Sequence, residues 1–143
     1  MTKKVERRPL DDSWVSYDFA VLRVVPHVYT GAFAPVGVIL HARTKEFLGI
    51  RVLTDPAELA ARAGGVDVDL LIRYLQSCEA ICRGEESAGP IALGPPSERF
   101  HWLTSPRSDV IQCGPVHEGL SGDPAADLDV LFQSAVVGDE RVV

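Results

Sequence analysis

The chain has 143 residues, a length that predicts a single domain. Hydrophobic residues make up 46% and charged residues 24%, so the chain can bury a core without metal or disulfide staples. The net charge of −6 disfavours nucleic acid as a partner, because phosphates are bound by an excess of Lys and Arg. An odd number of cysteines, no signal peptide and no membrane-spanning apolar run predict a cytoplasmic protein.

The first half of the chain predicts three β-strands. Aromatic and β-branched residues recur with a period of two from Trp14, and Pro26 ends this strand because proline cannot donate to a ladder. Residues 33 to 42 are apolar on both faces and predict a central strand, and residues 47 to 53 predict a third. The short connections favour an antiparallel meander, since a parallel return needs a longer crossover.

Two helices are predicted next. Asp55 can cap the first helix, Pro56 suits its first position, and Gly64 ends it. Asp67 can cap the second, in which apolar residues recur at helical spacing to about Arg83.

The second half predicts fewer regular elements. Residues 84 to 98 predict a long loop, rich in Gly and Pro. Residues 99 to 120 predict two strands with a turn at Ser105-Pro106. Asp123-Pro124 begins a last helix by the same capping logic.

Together these elements predict an α+β domain over residues 13 to 137. We expect an antiparallel sheet of about five strands with three helices packed mainly on one face, because strands and helices are segregated along the chain. Residues 1 to 12 are expected to be a disordered lead-in, and residues 138 to 143 a frayed tail.

Cysteine and histidine spacing offers a weak metal pattern. Thiolates and imidazoles are zinc ligands, and they occur here as Cys78-x-x-x-Cys82 and Cys113-x-x-x-His117. The spacing does not match structural zinc knuckles, and buried cysteine commonly packs as a small hydrophobe. We therefore predict no metal and no cofactor, with these four residues as the weak candidates.

No catalytic constellation emerges from the sequence. Cys113 could act as a nucleophile with His101 or His117 as its base, but no local signature of that chemistry surrounds it. Ser105 and Ser108 are typical turn residues and lack a nucleophile elbow. We predict no catalytic residue and favour a protein that is not an enzyme.

Arginine and histidine side chains offer a candidate ligand site. Arg23 lies in an apolar strand, where a guanidinium needs a carboxylate, a carbonyl or an anionic ligand. A structural pair with Asp18, Glu118 or a loop carbonyl would satisfy it equally. If the strands lie side by side, a pocket for a phosphate or carboxylate could include Arg23, Arg99, His101, Arg107 and His117.

Four segments of the chain form a recognisable combination: residues 17 to 26, 36 to 40, 99 to 108, and 116 to 120 with Asp123-Pro124. In these segments the chain resembles a known family, domain-of-unknown-function family 3037. Family members tend to carry Glu and Asn just before the second strand, where this chain has Ala32 and Pro35. The resemblance implies a small stand-alone bacterial protein, and some members are encoded beside a HipA-like kinase.

We therefore expect a non-catalytic protein-interaction module whose partner is another protein, with a HipA-like kinase as the candidate. The alternative is a small enzyme or a binder of an anionic small molecule or nucleotide that uses the Arg and His residues named above. The sequence leaves the oligomeric state open.

Overall fold

The structure is a computed structural model that describes residues 13–26, 32–105 and 111–138. Within these ranges the strands are β1 (Val15–Val24), β2 (Ala34–Ala42), β3 (Phe47–Val52), β4 (Ile111–Cys113) and β5 (His117–Ser121). The helices of the same ranges are α1 (Pro56–Ala63), α2 (Val68–Arg83), α3 (Pro96–Thr104) and α4 (Pro124–Phe132). A π-helical segment, Gln133–Val137, continues α4. The predicted lead-in over residues 1 to 12 and residues 139 to 143 of the predicted tail lie outside the described residues.

All strands pair antiparallel in one five-stranded sheet, with the order β3-β2-β1-β4. β1 pairs with β2 on one side. On its other side, β5 pairs with the first half of β1 and β4 with its last three residues. The α+β class and the five antiparallel strands are thus confirmed.

The predicted caps form as expected. The side chain of Asp55 accepts a hydrogen bond from the Ala57 amide at 3.1 Å and begins α1. Asp67 and Asp123 accept from backbone amides at the starts of α2 and α4 in the same way. These contacts satisfy amides that have no partner inside a helix, so the three helix starts were readable from sequence.

The prediction of a strand at residue 99 is wrong, because this segment is α3. Pro96 stands at its first turn, and the buried Phe100 and Leu103 are spaced three residues apart, as a helix requires. The preceding stretch, predicted as a long loop, contains two 3-10 turns, Glu86–Ala88 and Pro90–Leu93. The described residues therefore contain four helices where three were expected.

The second strand predicted in residues 99 to 120 exists, but it is divided. Gly114 and Pro115 separate β4 from β5, since proline cannot donate to the ladder. This division restores the total of five strands.

Helices cover both faces of the sheet, which corrects the expectation of packing mainly on one face. Gly49 lies opposite Leu40, and a Cβ at Gly49 would be 2.8 Å from Cδ2 of Leu128 in α4. The next residue, His41, points the other way and stacks on Phe100 of α3, with ring centroids 5.4 Å apart. β2 is apolar on both sides and therefore needs a helical cover on each.

α2 lies on the α3 side, where Cys78 and Ile81 pack with Ile39 and Phe100. No helix in the described part of the chain is both long and apolar enough to cross a membrane.

Candidate functional site

One face of β1 is only half covered. α4 packs mainly over β2 and β3, so it leaves the neighbouring strand less protected. On the α3 side of β1, Ala20, Leu22 and Val24 are buried, whereas Ser16 and Asp18 nearer the start of the strand are not. On the α4 side every side chain is half-buried, and we call this row together with its neighbour in β5 the open face: Val15, Tyr17, Phe19, Val21, Arg23 and His117.

Aromatic rings dominate the open face. The rings of Tyr17 and Phe19 are 6.0 Å apart, and the exposed ring of His117 lies 5.3 Å from Phe19. Gly119 stands opposite Tyr17, and a Cβ at that position would overlap the Tyr17 ring. The glycine therefore lets the tyrosine lie flat across β5 and extends the apolar surface toward the sheet edge.

Arg23 closes one end of the open face. Its guanidinium carbon lies 4.2 Å from the ring centroid of Phe33, a residue that is 54% exposed, in a cation–π arrangement. A Cβ at Gly114 would be 3.4 Å from the same guanidinium carbon, which is an ordinary van der Waals contact, so Arg23 packs closely along the connection from β4 to β5. Arg23 thus has a partner in Phe33 and needs no anionic ligand for its position.

Arg99 lies elsewhere, on α3. Its Nη1 donates to the carbonyl of Ala92 at 3.4 Å, which ties α3 to the connection that follows α2. Its Nε is buried and has no hydrogen-bond partner among the described residues. Gly84 leaves the space for this guanidinium, because a Cβ there would overlap Nη1.

His101 lines a shallow cavity of about 400 Å³ between the end of α3 and the connection from β4 to β5. The other lining residues are Thr104, Ser105, Cys113, Gly114, Pro115 and Val116. The hydroxyls here are engaged by the helix end, because Ser105 donates to the carbonyl of His101 at 2.7 Å and Thr104 to that of Phe100 at 2.8 Å. The cavity therefore offers an exposed imidazole but no oriented hydroxyl nucleophile.

The candidate ligand residues fall on two sides of the sheet. Arg23 and His117 belong to the open face, whereas Arg99 and His101 belong to α3 on the opposite side. Arg107 lies outside the described residues. The structure thus brings Arg23 and His117 onto one surface and keeps the two α3 residues apart from it.

The weak metal candidates are also separated. Cys78 and Cys82 are buried in the cluster between α2 and α3, and burial raises the pKa of the Cys82 thiol to about 12. Cys113 and His117 belong to opposite faces, since they stand opposite Leu22 and Phe19 of β1. In residues 13–26, 32–105 and 111–138, no three His, Cys, Asp or Glu side chains are placed to hold one ion.

A buried histidine was missed by the sequence reasoning. His41 in β2 is 7% exposed, stacks on Phe100, and stands opposite Asp18 of β1. Burial lowers its pKa below the ordinary 6.5; the Asp18 carboxylate partly offsets this effect, and Arg43 adds to it. The only sequence signal was a histidine inside an apolar strand.

The open face itself was also missed. The sequence places Tyr17 and Phe19 on an alternating strand, a pattern that suggests the core. Their partial exposure follows from the position of α4 over β2 and β3, which no local pattern encodes.

A five-stranded antiparallel sheet with helices on both faces and a half-covered aromatic row defines the class as a small α+β domain. The family model described as "Protein of unknown function (DUF3037)" matches residues 19–136, and the chain belongs to this family. No curated protein and no solved structure matched the chain.

Proposed function

We propose that this protein is a non-catalytic protein-interaction module and that its partner binds the open face. The observation that carries the proposal is the row of half-buried aromatic and apolar side chains on the α4 side of β1. Aromatic residues and arginine are enriched at protein interfaces, and contiguous uncovered apolar surface commonly marks a binding site. The open face carries two partly exposed aromatic rings, Tyr17 and Phe19, with Arg23 at its end.

The engagement of the Ser105, Thr104 and Arg99 side chains within the fold favours binding over catalysis by these groups. The Ser105 and Thr104 hydroxyls donate to helix carbonyls, and Arg99 donates to a loop carbonyl. A nucleophile or an anion clamp would need such groups to point toward a substrate. The Cys82 thiol, with its raised pKa, is poorly suited to act as a thiolate.

The partner we propose to test is a HipA-like kinase, the candidate that the family resemblance implied. The test is binding between the purified full chain and such a kinase from the same genome, measured by calorimetry. His117 and His101 form a matched pair for this purpose, because both are exposed histidines but lie on opposite sides of the sheet.

His117→Glu places a charge beside Phe19 in the open face and should weaken binding about tenfold or more, a loss of about 1.4 kcal/mol. His101→Glu should leave affinity within about twofold. Equal effects of the two substitutions, or no binding by the unmodified chain, would contradict the proposed kinase interface.

The anion-binding alternative has its own readout. A ligand that binds the native state raises its apparent stability, so nucleotides and phosphorylated metabolites can be screened by thermal shift. We expect no stabilisation. A saturable shift that Arg23→Gln or Arg99→Gln removes would favour the alternative instead.

A further inference from the structure

The outer edge of β5 has no strand partner among the described residues. β5 pairs with β1 on one side, and none of the other described strands pairs with it. Exposed edges in natural proteins commonly carry Lys, an internal Pro or an inward charge that prevents pairing. β5 has neither Lys nor Pro; its one charged residue is Glu118, and exposed apolar side chains stand just before the strand, at Val116, and near its end, at Leu120.

Alternate residues along this edge form a defined stripe. Glu118 and Leu120 stand opposite Asp18 and Ser16, so both point to the α3 side of the sheet. Val116 precedes them by two residues and lines the cavity next to α3. Val116 is 47% and Leu120 56% exposed. The stripe therefore presents an apolar, an acidic and an apolar side chain in succession to solvent.

The charge on this stripe distinguishes between possible occupants. Glu118 stands directly opposite Asp18, and like charges in that relation repel each other. A cation placed beside Glu118 would relieve the repulsion. A second copy of this chain would bring another Glu118 to the same edge and a net charge of −6 with it, so it is disfavoured.

We propose that the edge of β5 binds an extended segment of a basic partner protein as an added strand. This inference rests on the proposed interaction function and specifies the partner's chemistry. The segment carries Lys or Arg opposite Glu118 and apolar residues two positions to either side, where they meet Val116 and Leu120. The pattern is symmetric, so it serves either strand direction, and main-chain hydrogen bonds supply affinity while the side chains supply specificity.

The test uses synthetic heptapeptides with the full-length protein. The probe is Thr-Val-Thr-Lys-Thr-Val-Thr, the matched control replaces its Lys by Glu, and a third peptide has N-methylated alternate amides. Binding is followed by the changes in NMR chemical shift of the β5 amides. Because a short strand binds weakly, with a dissociation constant of about 1 mM, the peptide is titrated to several times that concentration.

We expect the Lys peptide to shift the β5 amides and to bind about tenfold more tightly than the Glu peptide. Glu118→Lys should reverse this preference, while Glu86→Lys, at an exposed site after α2, should leave it unchanged. N-methylation should abolish binding, because it removes donors from the ladder.

Three outcomes would overturn the inference. They are the absence of β5 shifts with any peptide, equal binding of both charge variants, and a dimer in sedimentation whose β5 amides are already protected. The His117→Glu experiment remains separate. If the kinase binds, His117→Glu weakens that binding, and no peptide binds at β5, then the proposed interaction function is supported and only the strand-addition proposal is refuted. If the peptides bind at β5 but the kinase does not bind, only the proposal that the partner is a HipA-like kinase is refuted.

Discussion

Protonation of His41 should destabilise the protein as the pH falls below about 6.5. The imidazole is buried between β1 and α3, and its pKa in the folded chain lies below the ordinary 6.5 because of burial. The unfolded chain therefore binds the proton more readily than the folded chain does. The stability that depends on a neutral His41 is fully present above the pKa of His41 in the unfolded chain. It is lost progressively as the pH falls from there toward the lower pKa of His41 in the folded chain.

The size of the effect has an upper bound. One extra proton on the unfolded state changes the free energy of unfolding by at most about 1.4 kcal/mol per pH unit. The unfolded chain takes up most of this proton only below its own pKa of about 6.5, so between about pH 7.5 and pH 5.5 the loss cannot exceed about 1.4 kcal/mol. Asp18→Asn should bring the loss closer to this bound, because the Asp18 carboxylate raises the pKa of His41.

The assay is urea unfolding at a series of pH values for the unmodified chain, His41→Gln and the exposed control His101→Gln. Other groups titrate in the same pH range. The quantity compared is therefore the difference in the free energy of unfolding between the unmodified chain and each variant at the same pH. The difference in the free energy of unfolding between the unmodified chain and His41→Gln should shrink as the pH falls, and His101→Gln shows how the loss of an exposed histidine reads out in the same assay. A His41 difference that is constant across the series would refute the reasoning.

Other substitutions test the packing directly by urea unfolding. Leu59→Ala removes a fully buried side chain of α1 and should cost about 2–5 kcal/mol; a loss below about 1 kcal/mol would contradict its place in the core. Gly65 and Gly84 both have positive φ, of 99° and 72°, so alanine at either should cost about 1–3 kcal/mol. Gly84→Ala should cost more than Gly65→Ala, because its Cβ would lie 3.3 Å from the backbone carbonyl of Ala92 and displace the end of Arg99, whereas a Cβ at Gly65 meets nothing within 4 Å; equal losses would argue against these contacts. Asp55→Ala removes the cap of α1 and should cost about 1 kcal/mol, an effect that Asp55→Asn should largely avoid.

Local chemistry explains which elements were predictable. β1 shows a period of two in its aromatic and β-branched residues, and the helices α1, α2 and α4 begin after Asp residues that accept hydrogen bonds from backbone amides. α3 was mistaken for a strand because it is short and rich in aromatic residues, and its N-cap, Pro95, offers no side-chain cap. A helix of this kind is held by the burial of Phe100 and Leu103, which is a tertiary contact.

The candidate ligand residues illustrate the same limit. Residue type and strand position made Arg23, Arg99, His101 and His117 plausible neighbours. The alternation of side chains along β1 separates Arg23 from α3, and the helical conformation of residues 96 to 104 sends Arg99 toward Ala92. The positions of Arg23 and Arg99 both depend on how the elements pack. The sequence could therefore identify the candidate residues but could not tell whether their side chains meet in one site.

Taken alone, the sequence determined the α+β class, the antiparallel meander of β1 to β3, the capped helices and the family, because periodicity, caps and short connections are local properties. Only the tertiary structure decided that α4 lies opposite α3, that one face of β1 stays half open, and that β5 ends the sheet with an acidic, apolar edge. These features depend on which surfaces remain uncovered after the helices have packed, and coverage is a property of the whole fold.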